Sequence, residues 1–333
     1  MRIFYISIIC LFICAVSTFA GNKAALKFNS DGEFKIVQFT DTHINTAEKT
    51  NLKSLDIIKT VIESEKPDLV VLTGDIITQD GPQEGYKLLS EILSSANIPW
   101  AVVFGNHESE QKFNRKELAE LVEKLPGCLN ADVGGIAGNS NFILPVLDRS
   151  KKIKALIYCM DSNSNSNLKP NVEGYGWFDL SQINWYLNNS RTYTRSNKGN
   201  PLPALAFFHI PLQEYTQGFN QKDRIVFGVR NEAECSADVN SGMFAAMLEG
   251  GDVMGTFVGH DHINDYITVY HNIALAYGRV SKIMKSPEDP LAGGRVIVLK
   301  QGKRQFDTWI REYNGKKVLP CSYPESFKLQ KGR

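Results

Sequence analysis

Five short apolar runs, each ending in a polar motif, constrain this chain more than any other feature of its sequence. IVQFT leads into Asp41-Thr42-His43, LVVLT into Gly74-Asp75, and AVVF into Gly105-Asn106-His107-Glu108. LAFF then leads into His209, and GTFV into Gly259-His260-Asp261-His262. Short β-branched-rich runs read as buried strands, and open α/β sheets gather their ligands beyond the strand ends. Five of the six histidines fall in these motifs. Strands that deliver carboxylates, imidazoles and an amide to one edge predict a two-metal site.

The segments between the runs alternate with them. Leu52, Leu55, Ile58 and Val61 are spaced like one face of a helix over 51–64. A second helix is predicted through Tyr86, Leu89 and Ile92, and a third over 115–125. With strands at 34–40, 69–73 and 100–104, this alternation predicts crossover units and a largely parallel sheet. Residues 142–147 and 153–160 read as neighbouring strands, and 180–187 as a helix. Four short strands between 266 and 310 suggest a second sheet packed on the first, with helices outside both. Long loops at 161–176 and 215–238 are expected near the site, where they would select the substrate.

The first residues read as something other than fold. Arg2 is followed by a predominantly apolar stretch of fourteen residues over 3–16, then by Ser17-Thr18-Phe19-Ala20. Fourteen residues fall short of the roughly 20 that span a bilayer, so 1–20 is expected to be a cleaved export signal. Ile13 before Cys14 disfavours a lipoprotein signal. No later run is long enough for a membrane span, so an exported protein, periplasmic or secreted and without an integral membrane segment, is expected. Losing Arg2 turns 37 Lys+Arg against 36 Asp+Glu into 36 against 36. A neutral chain gives no electrostatic case for nucleic acid. Residues 21–333 lack any linker, repeat or low-complexity tract and are expected to form one domain. Cys128, Cys159, Cys235 and Cys321 allow three disulfide pairings, although Cys159 lies in a strand-like run where a buried thiol fits equally well.

The donor set narrows the chemistry. Carboxylates, imidazoles and an amide oxygen suit Zn, Fe or Mn, and the absence of a CxxC pair argues against a structural zinc knuckle. Glycines at 74, 105 and 259 are expected to allow sharp turns at the strand ends. Glu108 and Asp261 are expected to orient neighbouring ligands, Asn240-Ser241 to cap a helix at 243–248, and His271 to lie in a turn. Tyr175-Gly176-Trp177 is expected to pack near the site.

The order DxH, GD, GNHE, H, GHxH, spanning Asp41 to His262, resembles the calcineurin-like metallophosphoesterase superfamily. The surrounding texture (FKIVQFTDTHI, DLVVLTGDII, GHDHINDY) is similar to its exported branch near the purple acid phosphatases. The resemblance implies an α/β fold, a four-layer αββα sandwich of two mixed sheets flanked by helices. It implies one cation held by Asp41, His43, Asp75 and His262, and a second held by Asp75, Asn106, His209 and His260. His107 would face the substrate and assist the leaving group while a metal-bridging hydroxide attacks a phosphate monoester. A phosphodiester substrate, or a non-catalytic phosphate-binding metalloprotein, are the alternatives. The purple enzymes place a tyrosine three residues after the bridging aspartate; here Ile77-Thr78 stands there, which puts their colour and ferric ion in doubt.

Overall fold

A computed structural model describes residues 23–78, 81–110, 112–286 and 289–329. The expected export signal over 1–20 lies outside the described residues. Strands β1 (Glu33–Phe39), β2 (Leu69–Thr73) and β3 (Trp100–Val103) run parallel, joined by helices α1 (Lys53–Glu65) and α2 (Pro82–Ser95). α3 (Arg115–Val122) follows β3, its start fixed by a capping box between Asn114 and Glu117. Strands β4 (Phe142–Leu147) and β5 (Ile153–Cys159) open the second half, followed by α4 (Leu180–Ser196) and β6 (Ala204–Phe207). Next come α5 (Glu214–Phe219), α6 (Met243–Gly250) and β7 (Val253–Val258). The chain closes with β8 (Ile267–Tyr270), β9 (Ile273–Tyr277), β10 (Gly293–Lys300), β11 (Phe306–Glu312) and β12 (Lys317–Tyr323).

Two six-stranded mixed sheets result, ordered β12-β11-β10-β1-β2-β3 and β4-β5-β6-β7-β9-β8. Alternation along the strands builds three apolar layers. Ile36, Leu69 and Val71 of the first sheet face Ile157, Leu205 and Phe257 of the second. Val37, Val70 and Leu72 turn outward onto Ile58 of α1 and Leu89 of α2. Tyr158, Ala206 and Leu275 turn outward onto Tyr186 of α4 and Met247 of α6. This is the expected αββα sandwich, and two covered faces explain why β2 is buried at every residue.

The last strands depart from expectation. They do not make a sheet of their own: β8 and β9 complete the second sheet, while β10 to β12 extend the first by antiparallel pairing of β10 with β1. His271 and Asn272, both left-handed (φ 44° and 65°), form the two-residue turn between β8 and β9. At α6 the N-cap is Gly242 at φ 87°, with no side-chain cap; Asn240 instead accepts from Gly242 N and donates to Glu214. Cys128, Cys159, Cys235 and Cys321 are free thiols, three buried and Cys235 exposed, so no disulfide framework forms among the described residues.

Candidate dinuclear metal centre

All five motif-bearing strands are parallel within their sheets and end on one side, which brings their trailing residues together. Gln38 stitches the sheets there, donating through Nε2 to Thr73 Oγ1 at 2.8 Å and to Val258 O at 3.0 Å. His209 Nδ1 meets Thr73 O at 2.7 Å, which places its proton on Nδ1 and leaves Nε2 as a lone-pair donor.

The backbone aims the side chains by an unexpected device. Asp41, His43 and Asp75 take left-handed conformations (φ 54°, 46° and 53°), as does His260 at 79°. Non-glycine residues rarely sit there unless their surroundings hold them, and such strain concentrates at functional sites. Of the three motif glycines, Gly74 is left-handed at φ 81°, but Gly105 and Gly259 are not. Those two provide clearance instead: a Cβ on Gly259 would lie 2.6 Å from Asp41 Oδ2, and one on Gly105 2.8 Å from His209 Cδ2.

Two groups form. Ligand atoms of Asp41, His43 and His262 lie within 4.8 Å of one another, as do those of Asp75, His209 and His260. His43 Nε2 stands 3.1 Å from His262 Nε2, and His209 Nε2 stands 3.2 Å from His260 Nδ1. Metal–nitrogen bonds of about 2.0–2.1 Å put neighbouring ligand atoms roughly 3.0–3.4 Å apart, so both spacings suit a shared cation. Asp75 Oδ2 joins the groups, 3.2 Å from His209 Nε2 and 3.8 Å from His43 Nε2. Asp41 Oδ1 faces His262 Nε2 at 3.4 Å, and its other oxygen accepts from Thr40 Oγ1 and His260 N. Asn106 Oδ1 is buried without a hydrogen-bond partner among the described residues, flanked by Gly105 and by His107, whose N–H donates to Asp75 Oδ1 at 2.9 Å. An orphaned amide oxygen beside paired carboxylates and imidazoles fits a pair of cations.

Electrostatics agree. Burial, then the Lys282 ammonium, push His43 down to about 3, and burial with His209 does the same to His260. Both imidazoles are therefore neutral, as ligation requires. Burial opposes charge on His209, but the Asp75 carboxylate raises its pKa to about 10; a cation supplies the same compensation without a proton. Burial raises Asp41 and Asp75, yet the surrounding histidines hold both below the usual carboxylate range.

The supporting residues are clear. Glu108, fully buried, accepts from Asp75 N (3.0 Å), Ile76 N (2.7 Å) and Gly105 N (2.6 Å), clamping two motif turns together. Glu108→Ala strands three buried N–H groups, each costing about 1–3 kcal/mol. Denaturant unfolding is expected to show a loss on the order of 3–5 kcal/mol; a loss below about 1 kcal/mol contradicts the clamp. Asp261 accepts from Tyr277 OH (2.5 Å) and Cys235 N, so it braces the loop behind the GHDH motif rather than touching the two groups. Tyr175 meets the His260 ring at a right angle, 4.5 Å between centroids.

Sequence reasoning missed two residues. Glu110 Oε2 lies 2.7 Å from His107 Nδ1, a pairing that an i,i+3 carboxylate in GNHESE could have signalled. Lys282 has no motif. Thr40 bridges to Val280, and Ser281 N donates to Thr40 O at 2.9 Å, which brings the half-buried Lys282 alongside Asp41. No carboxylate lies within ion-pair distance of its ammonium among the described residues.

The profile of the calcineurin-like phosphoesterase family matches residues 34–264, and the chain belongs to that family. Among its curated relatives, the Arabidopsis thaliana protein named "Probable inactive purple acid phosphatase 29" is 32% identical, over 82% of this chain and 78% of the relative. "Probable inactive purple acid phosphatase 14" of the same plant is 31% identical, over 81% of this chain and 75% of its own length. A solved dimetal phosphatase from Danio rerio shares the fold, with a TM-score of 0.60 at 14% identity, over 87% of this chain and 98% of that one. The Plasmodium protein GAP50, described as an anchor in the inner membrane complex, shares it at a TM-score of 0.53 and 13% identity, over 90% of each chain. The fold thus serves a phosphatase and an anchor alike, and activity has to be argued from the site.

Proposed function

We propose that this chain is an exported dinuclear-metal phosphoesterase acting on small phosphate monoesters. Asp41, His43, Asp75 and His262 would hold one cation, and Asp75, Asn106, His209 and His260 the other, with Fe, Zn or Mn suiting these donors. The observation that carries this is the pair of carboxylate–imidazole groups joined at Asp75, with His107 Nε2 3.8 Å from the shared carboxylate. Bound cations supply Lewis acidity and lower the pKa of a coordinated water.

The chain's own groups do the rest. Burial works against charge on His107, but Asp75 and Glu110 outweigh it and raise its pKa. With Nδ1 held by Glu110, Nε2–H faces the site and donates its proton to the leaving alcohol as the P–O bond breaks. The oxygen of the attacking water ends on the phosphate. Lys282 answers the negative charge of the phosphate oxygens. Lys282→Ala is expected to raise KM about 10-fold or more with kcat changed less, and Lys282→Arg to recover much of it. An unchanged KM in the alanine variant removes Lys282 from the phosphate site.

Export rests on the apolar leader over 3–16. The reading as a whole is tested with nitrophenyl phosphate and bis-nitrophenyl phosphate assayed in parallel, with and without chelator. Monoester turnover that chelation abolishes and divalent metal restores supports it; a preference for the diester shifts the assignment to phosphodiesterase. Two retained metals without turnover of either ester favours a non-catalytic role.

A further inference from the structure

A cleft of about 600 Å³ opens between the start of α3 and the 163–177 loop. Both walls connect to the centre through neighbouring residues, although none of its ligands lines the cleft. Arg115 donates to Gly105 O at 2.7 Å, one residue before Asn106. Gly176, in the opposite wall, follows the Tyr175 that packs on His260.

The lining is amide-rich. Asn139, Asn165 and Asn167 face the cleft, and their side-chain amides bond to no protein group among the described residues. Asn163, by contrast, commits its amide to Trp177 O at 2.7 Å and Gln182 Oε1 at 3.0 Å. That bond fixes the turn carrying the half-buried Trp177. Two of the three charges at the walls are already committed, Arg115 to Asp161 and Asp179 to the backbone of Ser181, and the third, Lys116, is exposed at the rim. Apart from the exposed Lys116, what remains free is neutral and both donating and accepting, with an indole beside it.

Each amide offers two N–H donors and a carbonyl acceptor. Neighbouring hydroxyls need such a mixture, and an aromatic face suits the C–H side of a sugar ring. We infer that this cleft is the leaving-group subsite and that it takes a polyhydroxylated alcohol, a sugar or polyol, esterified to the phosphate. The inference rests on the phosphoesterase reading and names the substrate class for the same centre.

The test compares ligands that share one phosphonate head. Calorimetry on the metal-loaded protein measures the non-hydrolysable phosphonate analogue of glucose 6-phosphate, methylphosphonate and phenylphosphonate. The sugar phosphonate is expected to bind at least about tenfold more tightly than the other two. The exposed pair Asn165→Ala/Asn167→Ala is expected to erase that advantage and leave methylphosphonate affinity unchanged, with Asn139→Ala as an independent second variant. Equal affinities in the natural protein overturn the inference, as does an equal gain from phenylphosphonate or a sugar advantage that survives in both variants. Turnover of nitrophenyl phosphate reports on the phosphoesterase reading separately, because phosphonate binding needs no hydrolysis.

Discussion

Asp75→Asn is expected to remove metal retention and phosphoesterase activity in one step. The asparagine is nearly the same size, and its carbonyl can still accept from His107 N, as Asp75 Oδ1 does at 2.9 Å. What it loses is the charge at the one carboxylate that serves both groups, 3.2 Å from His209 Nε2 and 3.8 Å from His43 Nε2. Removing even an outer-shell partner typically costs about 10–100-fold in metal affinity or activity, so loss of a shared ligand should exceed about 10³-fold. Elemental analysis should find fewer than two metals per chain. Full metal content with near-normal turnover would falsify the bridging role of Asp75.

His107→Gln is the contrasting case. Neither of the two carboxylate–imidazole groups includes His107, whose Nδ1 is engaged by Glu110. Two metals per chain should remain while kcat falls about 10²–10⁴-fold, the range for a lost general acid. An ester with a good leaving group, such as nitrophenyl phosphate, needs less protonation and should suffer less than an alkyl phosphate. An equal fall for both esters would mean that His107 acts on the phosphate rather than on the leaving oxygen.

How much of this was readable in the sequence depended on how local the cause was. Strands such as Leu69–Thr73 announced themselves because both faces are covered, leaving no polar interruption. The five motifs were legible because each directly follows its strand. The reason they converge was not: an i, i+2 spacing puts Asp41 and His43 on one face only in an extended strand, whereas both sit at positive φ. β12 escaped notice because KVLPCSY is an edge strand carrying a proline and exposed positions, which weaken a strand pattern. α4 runs to Ser196, well past its apolar start, held by the Asp179 capping box and the buried Ser190 rather than by propensity. The membership of β10 in the first sheet and the approach of Lys282 both depend on pairings across more than 200 residues, Phe34 with Leu299 and Thr40 with Val280. No local pattern encodes such contacts.

Anomalous diffraction from crystals of the purified protein, grown without chelator and recorded on both sides of the metal absorption edges, tests the central claim most directly. Two peaks are expected, both within bonding distance of Asp75, one also beside His43 and His262 and the other beside Asn106, His209 and His260. A single peak, or cations bound elsewhere while these side chains bond only to one another, would contradict a dinuclear centre.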